Sequence, residues 1–334
     1  MTEAGLRELG IQRIPVPIPF PQAGGPVNVY LVEDAGGGVL MFDSGLGTAE
    51  AEAALEQGLA RAGRSFDEVT RIVLSHGHVD HYGAARTVQE RAGRPVPVHV
   101  HAGDAAKVSE AGRPWRELMP SYVAYLLKLG VPAEVMAQVG RNLGASYMMA
   151  RRVPQVTLLD ERGVFQAKYL ALEVHHMPGH TPGLSCLYDR QHRLVLSGDH
   201  LLEKVSPNPI IDLGPEGREG HFRPLVAYLA SIRRLRDMDV DLVLPGHGPP
   251  FADHRRVIDG LLQFYEKRQA RVRELLAAGA LTAYDVTQAL FPWAREGDLF
   301  LVVSEAIANL EALEDRGEVG RDLEDGVYRF RLLP

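Results

Sequence analysis

Residues 75–81 read Ser-His-Gly-His-Val-Asp-His, three histidines and an aspartate in seven positions of a 334-residue chain with 13 histidines in all. Imidazoles and a carboxylate this close together are metal ligands, or else a polar loop that happens to be rich in histidine. In an extended turn His76 and His78 face the same way, and Asp80 and His81 follow as the chain enters a helix. Four donors in six residues are more than one ion readily takes from so short a loop. Two adjacent ions use them all.

Further donors stand at other strand ends: His180 in MPGHTPG, Asp199 in LSGDH and His247 in VLPGHGPP. Each follows an apolar, strand-like run and adjoins Gly or Pro, where the backbone turns tightly. The single cysteine, Cys186, excludes an internal disulfide and a cysteine-rich zinc site. It lies in the apolar run LSCLYD and reads as a buried strand residue. Seven donors without a thiolate suit Zn²⁺, and also Fe or Mn.

The elements that must position these donors alternate between strand and helix through the first half. NVYLVE and GVLMFDSG read as paired strands around DAGGG, residues 51–63 as a helix, and TRIVLS as a buried strand running into the histidines. Residues 83–93 look helical and VPVHVH strand-like, a rhythm that implies sheets covered by helices. Residues 103–152 interrupt it: 122–143 has helical periodicity broken by Gly130 and Pro132, so two inserted helices are expected. Trp115, Tyr122, Tyr125, Tyr147, Met148 and Met149 are candidates to roof the metals. The alternative is that they pack the insertion onto the body or form a homodimer interface. Strand-like runs resume at 169–177, 184–189 and 193–199, a helix covers 224–238, and DLVLPGHG closes the β region.

HxHxDH, a lone His, an Asp in a GD turn and a His in PGHG together resemble the metallo-β-lactamase superfamily of hydrolases over roughly residues 25–250. That resemblance implies an α+β fold, a four-layer αββα sandwich with the metals at the edge of its two sheets. It assigns His76, His78 and His180 to one divalent ion, Asp80, His81 and His247 to a second, and Asp199 to a bridge between them. Asp80 is then also the candidate catalytic carboxylate. Asp43, in FDSG, matches an outer carboxylate that orients imidazoles. His200 adjoins the bridge and is a weaker candidate for an outer or substrate contact, as are Tyr122 and Tyr125. The implied chemistry is hydrolysis by a metal-bridging hydroxide, the ions lying about 3.5–4 Å apart.

Within the superfamily, flavodiiron-type oxidoreductases carry Glu where this chain has His78, and true β-lactamases of this fold generally lack the bridging Asp. The β-CASP insertion of mRNA-processing nucleases is absent. The glyoxalase II-like branch shares the full ligand set, although its glutathione-binding residues find no match here. The β-lactamase-like protein 2 group is similar and appends a winged-helix-like tail. The expected substrate is a small ester, thioester, lactone or phosphodiester. The alternatives are a mononuclear iron enzyme resembling persulfide dioxygenases and a ribonuclease acting on single-stranded RNA.

The domain boundary is placed at 254, the insertion within 1–254 and three helices with a hairpin, in winged-helix order, over 255–334. Thr282 is the expected cap of the middle helix, and Glu324-Asp325-Gly326 the hairpin turn. This tail holds 11 Lys+Arg against 14 Asp+Glu, and its third helix, SEAIANLEALEDRG, carries one Arg against four acids. That balance excludes DNA binding, since a groove-reading helix needs cations. No run approaches the ~18 apolar residues of a membrane span, and no secretion signal is visible, so a cytoplasmic location is expected.

Overall fold

The structure, a computed structural model, describes residues 3–334. Helix α1 (Glu3–Glu8) and strand β1 (Ile11–Val16) precede β2 (Val27–Glu33), β3 (Val39–Phe42), α2 (Ala49–Arg61) and β4 (Val69–Val73). The short α3 (Val79–Tyr82), then α4 (Ala85–Arg91) and β5 (Val98–Val100), complete the first alternation. The inserted helices are α5 (Ala102–Val108), α6 (Trp115–Lys128) and α7 (Ala133–Tyr147). Five strands follow: β6 (Thr157–Leu158), β7 (Val164–Gln166), β8 (Ala171–His176), β9 (Ser185–Asp189) and β10 (Leu194–Gly198). After α8 (Pro224–Asp237) and β11 (Leu242–Pro245) come α9 (His254–Leu276), α10 (Ala283–Leu290), α11 (Leu299–Asp315), β12 (Val319–Glu324) and β13 (Val327–Leu332).

One sheet runs β1-β2-β3-β4-β5-β6 and the other β11-β10-β9-β8-β7. Strands β2, β3, β9, β10 and β11 are buried on both faces, which is why they read as apolar runs rather than alternating ones, whereas β6 and β7 at the sheet edges are exposed. Leu40 and Phe42 of β3 meet Leu194 and Leu196 of β10 between the sheets, while Val39 and Met41 turn outward to Leu55 and Leu59 of α2 and Val88 of α4. On the far side Val195 of β10 and Val243 of β11 face Ile232 of α8 and Tyr265 of α9. The result is helix, sheet, sheet, helix. Strand β1 was not legible: Pro15 removes a ladder donor, and the position is tolerated because β1 forms the sheet edge.

In the first sheet β3, β4 and β5 are parallel, so their C-terminal ends lie along one edge. In the second, β8 and β10 are each antiparallel to β9, and β11 is parallel to β10. The loops after β4, β8, β10 and β11 are the ones that carry the histidine cluster, His180, Asp199 and His247. The ends of such strands are where open α/β sheets place ligands.

Three helices, α5 to α7, stand between β5 and β6 where two were expected, with α6 ending at Gly130 in a left-handed conformation (φ +86°). The apolar face of this insertion is covered by the chain's own C-terminal part: Tyr122, Tyr125, Leu126 and Val139 share a core with Val272, Ile307, Leu310 and Phe330. Helix α9 belongs to two cores, Val257 and Tyr265 lying under the second sheet and Val272 and Leu276 in the C-terminal cluster. Thr282 caps α10 in a reciprocal box with Asp285. The hairpin turns on Asp325 and Gly326, both at positive φ (48° and 82°), the two-residue turn that matches strand twist.

Burial pushes the carboxyl of Glu311, on α11, up to about 7, against the attraction of Arg321 and Arg223 and a hydrogen bond from Tyr125. A carboxyl whose folded pKa is raised costs stability as pH climbs through it, and nothing at acid pH. The displacement from 4.5 to about 7 corresponds to roughly 3 kcal/mol at high pH. Glu311→Gln is therefore expected to raise the melting temperature at pH 8.5, with the gain vanishing near pH 4. An equal gain at both pH values would refute the assignment.

Candidate metal centre

The loop after β4 begins with Ser75, whose backbone N–H and hydroxyl both donate to Asp43, at 2.7 and 2.8 Å. Asp43 follows β3, is fully buried and holds a positive φ of 59°, a strained geometry that Asp tolerates better than most residues. Its Oδ2 also accepts from His81 Nδ1 at 2.8 Å, which leaves His81 Nε2 free to bind.

The same device recurs on the other imidazoles. His180 Nδ1 donates to the Asn208 carbonyl at 2.9 Å, and His247 Nδ1 lies 3.2 and 3.3 Å from the Gly25 and Pro26 carbonyls. Through Nδ1 His76 meets Ser75 Oγ at 2.9 Å, and its Nε2 faces His78 Nδ1 at 3.0 Å. On His76, His81, His180 and His247 the outer nitrogen is tied to the protein and the inner one points to a common centre.

Three sets of donors converge there, each with its atoms within 4.8 Å of one another: His76, His78 and His180; His76, His81 and Asp199; Asp80, His81 and His247. Asp199 reaches into all of them, with Oδ1 3.5 Å from His81 Nε2 and Oδ2 3.6 Å from His180 Nε2 and 3.5 Å from His247 Nε2. Asp80 Oδ2 lies 3.4 Å from His247 Nε2 and 3.7 Å from His81 Nε2. His81 Nε2, His180 Nε2, His247 Nε2 and Asp199 Oδ1 are buried with no hydrogen-bond partner. Four orphaned polar atoms around one point are costly unless a cation satisfies them, so this donor set fits divalent metal. A methyl group on Gly246 would sit 2.2 Å from Asp199 Oδ1, so only glycine lets the β11 loop close over the carboxylate.

The field is divided. Burial, reinforced by the neighbouring imidazoles, holds His76 well below the usual range and takes His78 to about 3. Burial would also lower His81 and His247, but Asp199 and its neighbours outweigh it: His81 is held well above its ordinary value and His247 at about 10. Burial opposes ionisation of Asp80, yet His81 and His247 bring it to about 2. The carboxylates thus draw positive charge to the bottom of the site.

Three expected residues lie elsewhere. His200 is fully buried with its ring against Tyr228, 5.6 Å between centroids, and stands outside the three donor sets. Next to Asp199 in sequence, it turns the opposite way into the α8 layer, as successive residues leaving a strand do. Tyr125 does not roof the metals, because it faces Glu311 and Arg321 of the C-terminal part. Tyr122 holds the Leu213 N–H through its hydroxyl, at 3.3 Å, and lines a narrow cavity with Trp115, Tyr147, Lys107 and Arg152. Lys107 and Gly103 join that cavity to the donor loops, Lys107 packing on Gly77 and Gly103 on Pro182 and Gly183.

Asp104 was not anticipated. It is fully buried and accepts from Gly77 N at 3.0 Å, Thr181 Oγ1 at 2.5 Å and Lys107 Nζ at 2.7 Å, and Lys107 continues to Asp212 at 2.6 Å. One carboxylate therefore ties the His76–His78 turn to the loop after His180. The signal was faint: an Asp and a Lys three apart at the start of a helix.

The chain matches the family model described as the metallo-beta-lactamase superfamily over residues 23–247, and a metallo-beta-lactamase-like C-terminal domain over 270–333. That second description replaces the winged helix as the description of the tail. The probable metallo-hydrolase YqjP of Bacillus subtilis is 30% identical over 96% of this chain and 98% of its own length. The crystal structure of metallo-beta-lactamase family protein TTHA1429 from Thermus thermophilus is 32% identical, with a TM-score of 0.81 over 97% of this chain and 99% of that one. The acyl-coenzyme A thioesterase MBLAC2 of Gallus gallus is 28% identical over 71% of this chain and 77% of its own. Layers, donor loops and these likenesses agree: the chain belongs to the metallo-beta-lactamase superfamily, among its metallo-hydrolases.

Proposed function

We propose that this protein is a dinuclear metal-dependent hydrolase acting on thioesters, with simple esters as slower substrates. The observation that carries the two-ion reading is the convergence of four buried, unpartnered donor atoms from four separate loops. His76, His78 and His180 would hold one cation, Asp80, His81 and His247 the other, and Asp199 reaches both groups. Zinc fits a nitrogen and oxygen donor set of this kind. When bound, such a pair supplies a water acidic enough to act as nucleophile near neutral pH and polarises the scissile carbonyl.

The rest is the work of the chain. Asp43, Asn208 and the Gly25 and Pro26 carbonyls fix the imidazole tautomers, and Asp104 sets the spacing of the two histidine-bearing loops. No thiol or serine nucleophile is needed: Cys186 is buried against the Ser197 carbonyl, and burial pushes its thiol far up. Thioesters are preferred as the substrate class because the likeness to an acyl-coenzyme A thioesterase extends over 71% of the chain.

The metal-loaded chain is expected to hydrolyse S-acyl N-acetylcysteamine, to lose that activity to chelator and to regain it with Zn²⁺. Turnover confined to phosphodiesters or RNA, or oxygen consumption with a persulfide substrate, would replace this reading.

A further inference from the structure

We propose that the cavity framed by α5, α6, α7 and residues 212–215 is a binding site for a short-chain alkyl carboxylate, separate from the metal centre. None of the seven metal donors lines it. It holds about 50 Å³, and a water-sized group takes roughly 10–15 Å³ of such space, so an acid of a few heavy atoms fits.

Arg152 supplies the charge. Its Nη2 donates to the Ala106, Ser109 and Gly112 carbonyls, which fixes the guanidinium in the wall. No carboxylate lies within ion-pairing distance of it among the described residues. Nη1 has no hydrogen bond and, unlike the enclosed Nε, keeps accessible surface. A partly buried cation without a counter-ion calls for an anion.

Two more donors are open. The Tyr147 hydroxyl has no hydrogen bond among the described residues, and it too keeps accessible surface. Lys107 binds Asp104 at 2.7 Å and Asp212 at 2.6 Å, and its side chain is 22% exposed, so its remaining N–H is left for a ligand. Asp212 is the one carboxylate in the wall, and both its oxygens are taken: Oδ2 by Lys107 and Oδ1 by the Gly214 N–H at 2.7 Å. Asp104 and Glu117, the other acids paired with cations of the wall, stand outside it. Three donors without an acceptor select a carboxylate.

The rest of the wall is apolar. The Trp115 ring stacks on Tyr147 with 4.7 Å between centroids, and Ala106, Leu118 and Pro215 adjoin the same space. That surface suits the methylenes of an alkyl acid and has nothing to offer the hydration shell of inorganic phosphate.

Trp115 reports on the cavity, because the chain's other tryptophan, Trp293, is 68% exposed. Sodium propionate is titrated into the metal-loaded Trp293→Phe protein at constant ionic strength, with propionamide and inorganic phosphate as comparisons. Propionate should give a saturable change in Trp115 emission, and each comparison compound should need a concentration roughly tenfold higher or more. Tyr147→Phe removes a hydroxyl that no protein group uses, and should weaken propionate about tenfold, the loss of one hydrogen bond to a charged group. Ala106→Leu fills the cavity and should abolish the change while the melting temperature is kept. No response in Trp293→Phe, or equal affinity for propionamide or phosphate, overturns the carboxylate site. Propionate binding at undiminished strength in Tyr147→Phe places the acid elsewhere, on the metals included, and equally overturns it.

Discussion

Replacing Asp199 with alanine is expected to take the bound metal from two equivalents to at most one and to lower turnover roughly a thousandfold. The reason is its position. Its two oxygens lie within 3.6 Å of the inner nitrogens of His81, His180 and His247, so one carboxylate is common to both donor groups. A pair of cations provides several kcal/mol of transition-state stabilisation, and each ~1.4 kcal/mol lost is tenfold in rate. The substitution also leaves His81 and His247 with less carboxylate to hold a cation against the cost of burial. Far-ultraviolet circular dichroism should be unchanged, since Asp199 lies beyond the end of β10 and contributes no strand hydrogen bond. Turnover within threefold of the parent, with both metals retained, would remove Asp199 from the centre.

Asp104→Ala carries the largest expected loss of stability. The substitution strands the Gly77 N–H and the Thr181 hydroxyl and leaves Lys107 with Asp212 alone. Burial would raise the Asp104 carboxyl, but Lys107 and Thr181 hold it below the ordinary range. Breaking a buried pair on one side costs about 3–5 kcal/mol, or roughly 10 °C in a chain of this size. Because Gly77 separates His76 from His78, affinity at the His76–His78–His180 group should fall about 10–100-fold, as for other residues that orient ligands. The second group, built on Asp80, His81 and His247, should be nearly unaffected. A variant that melts early yet binds both metals with parent affinity would show that Asp104 supports the fold and not the site.

The donor set was legible because its members stand alone in kind and place. His76, His78, Asp80 and His81 fall in one loop, and His180, Asp199 and His247 each follow an apolar run and a glycine. Strands buried on both faces announced themselves by apolar runs, so β2, β3, β4, β9, β10 and β11 could be read. Strand β1 could not, since prolines suit an edge strand and a loop equally well. The two-residue β6 carries too little pattern to register.

The outer residues were harder for a different reason. Asp104 and Asn208 act on loops 27 and 28 residues distant in sequence, and Asp104 does so through a hydrogen bond to backbone that leaves no mark on residue type. Tyr125 misled because an aromatic on an amphipathic helix near a pocket looks the same whether it faces ligand or a neighbouring helix. The tertiary partner decided it: α11 and β12 offered Glu311 and Arg321. His200 misled by adjacency, since one residue past a strand end reverses the side to which a side chain points.

Elemental analysis of the full chain, prepared without chelator and supplied with Zn²⁺, Mn²⁺ or Fe²⁺ in turn, tests the central claim most directly. Two equivalents of metal per chain are expected for the parent. One is expected for Asp80→Ala and for His247→Ala, because each loses a donor of the second group while His76, His78 and His180 remain. A single equivalent in the parent, unchanged in both variants, would contradict a two-ion centre.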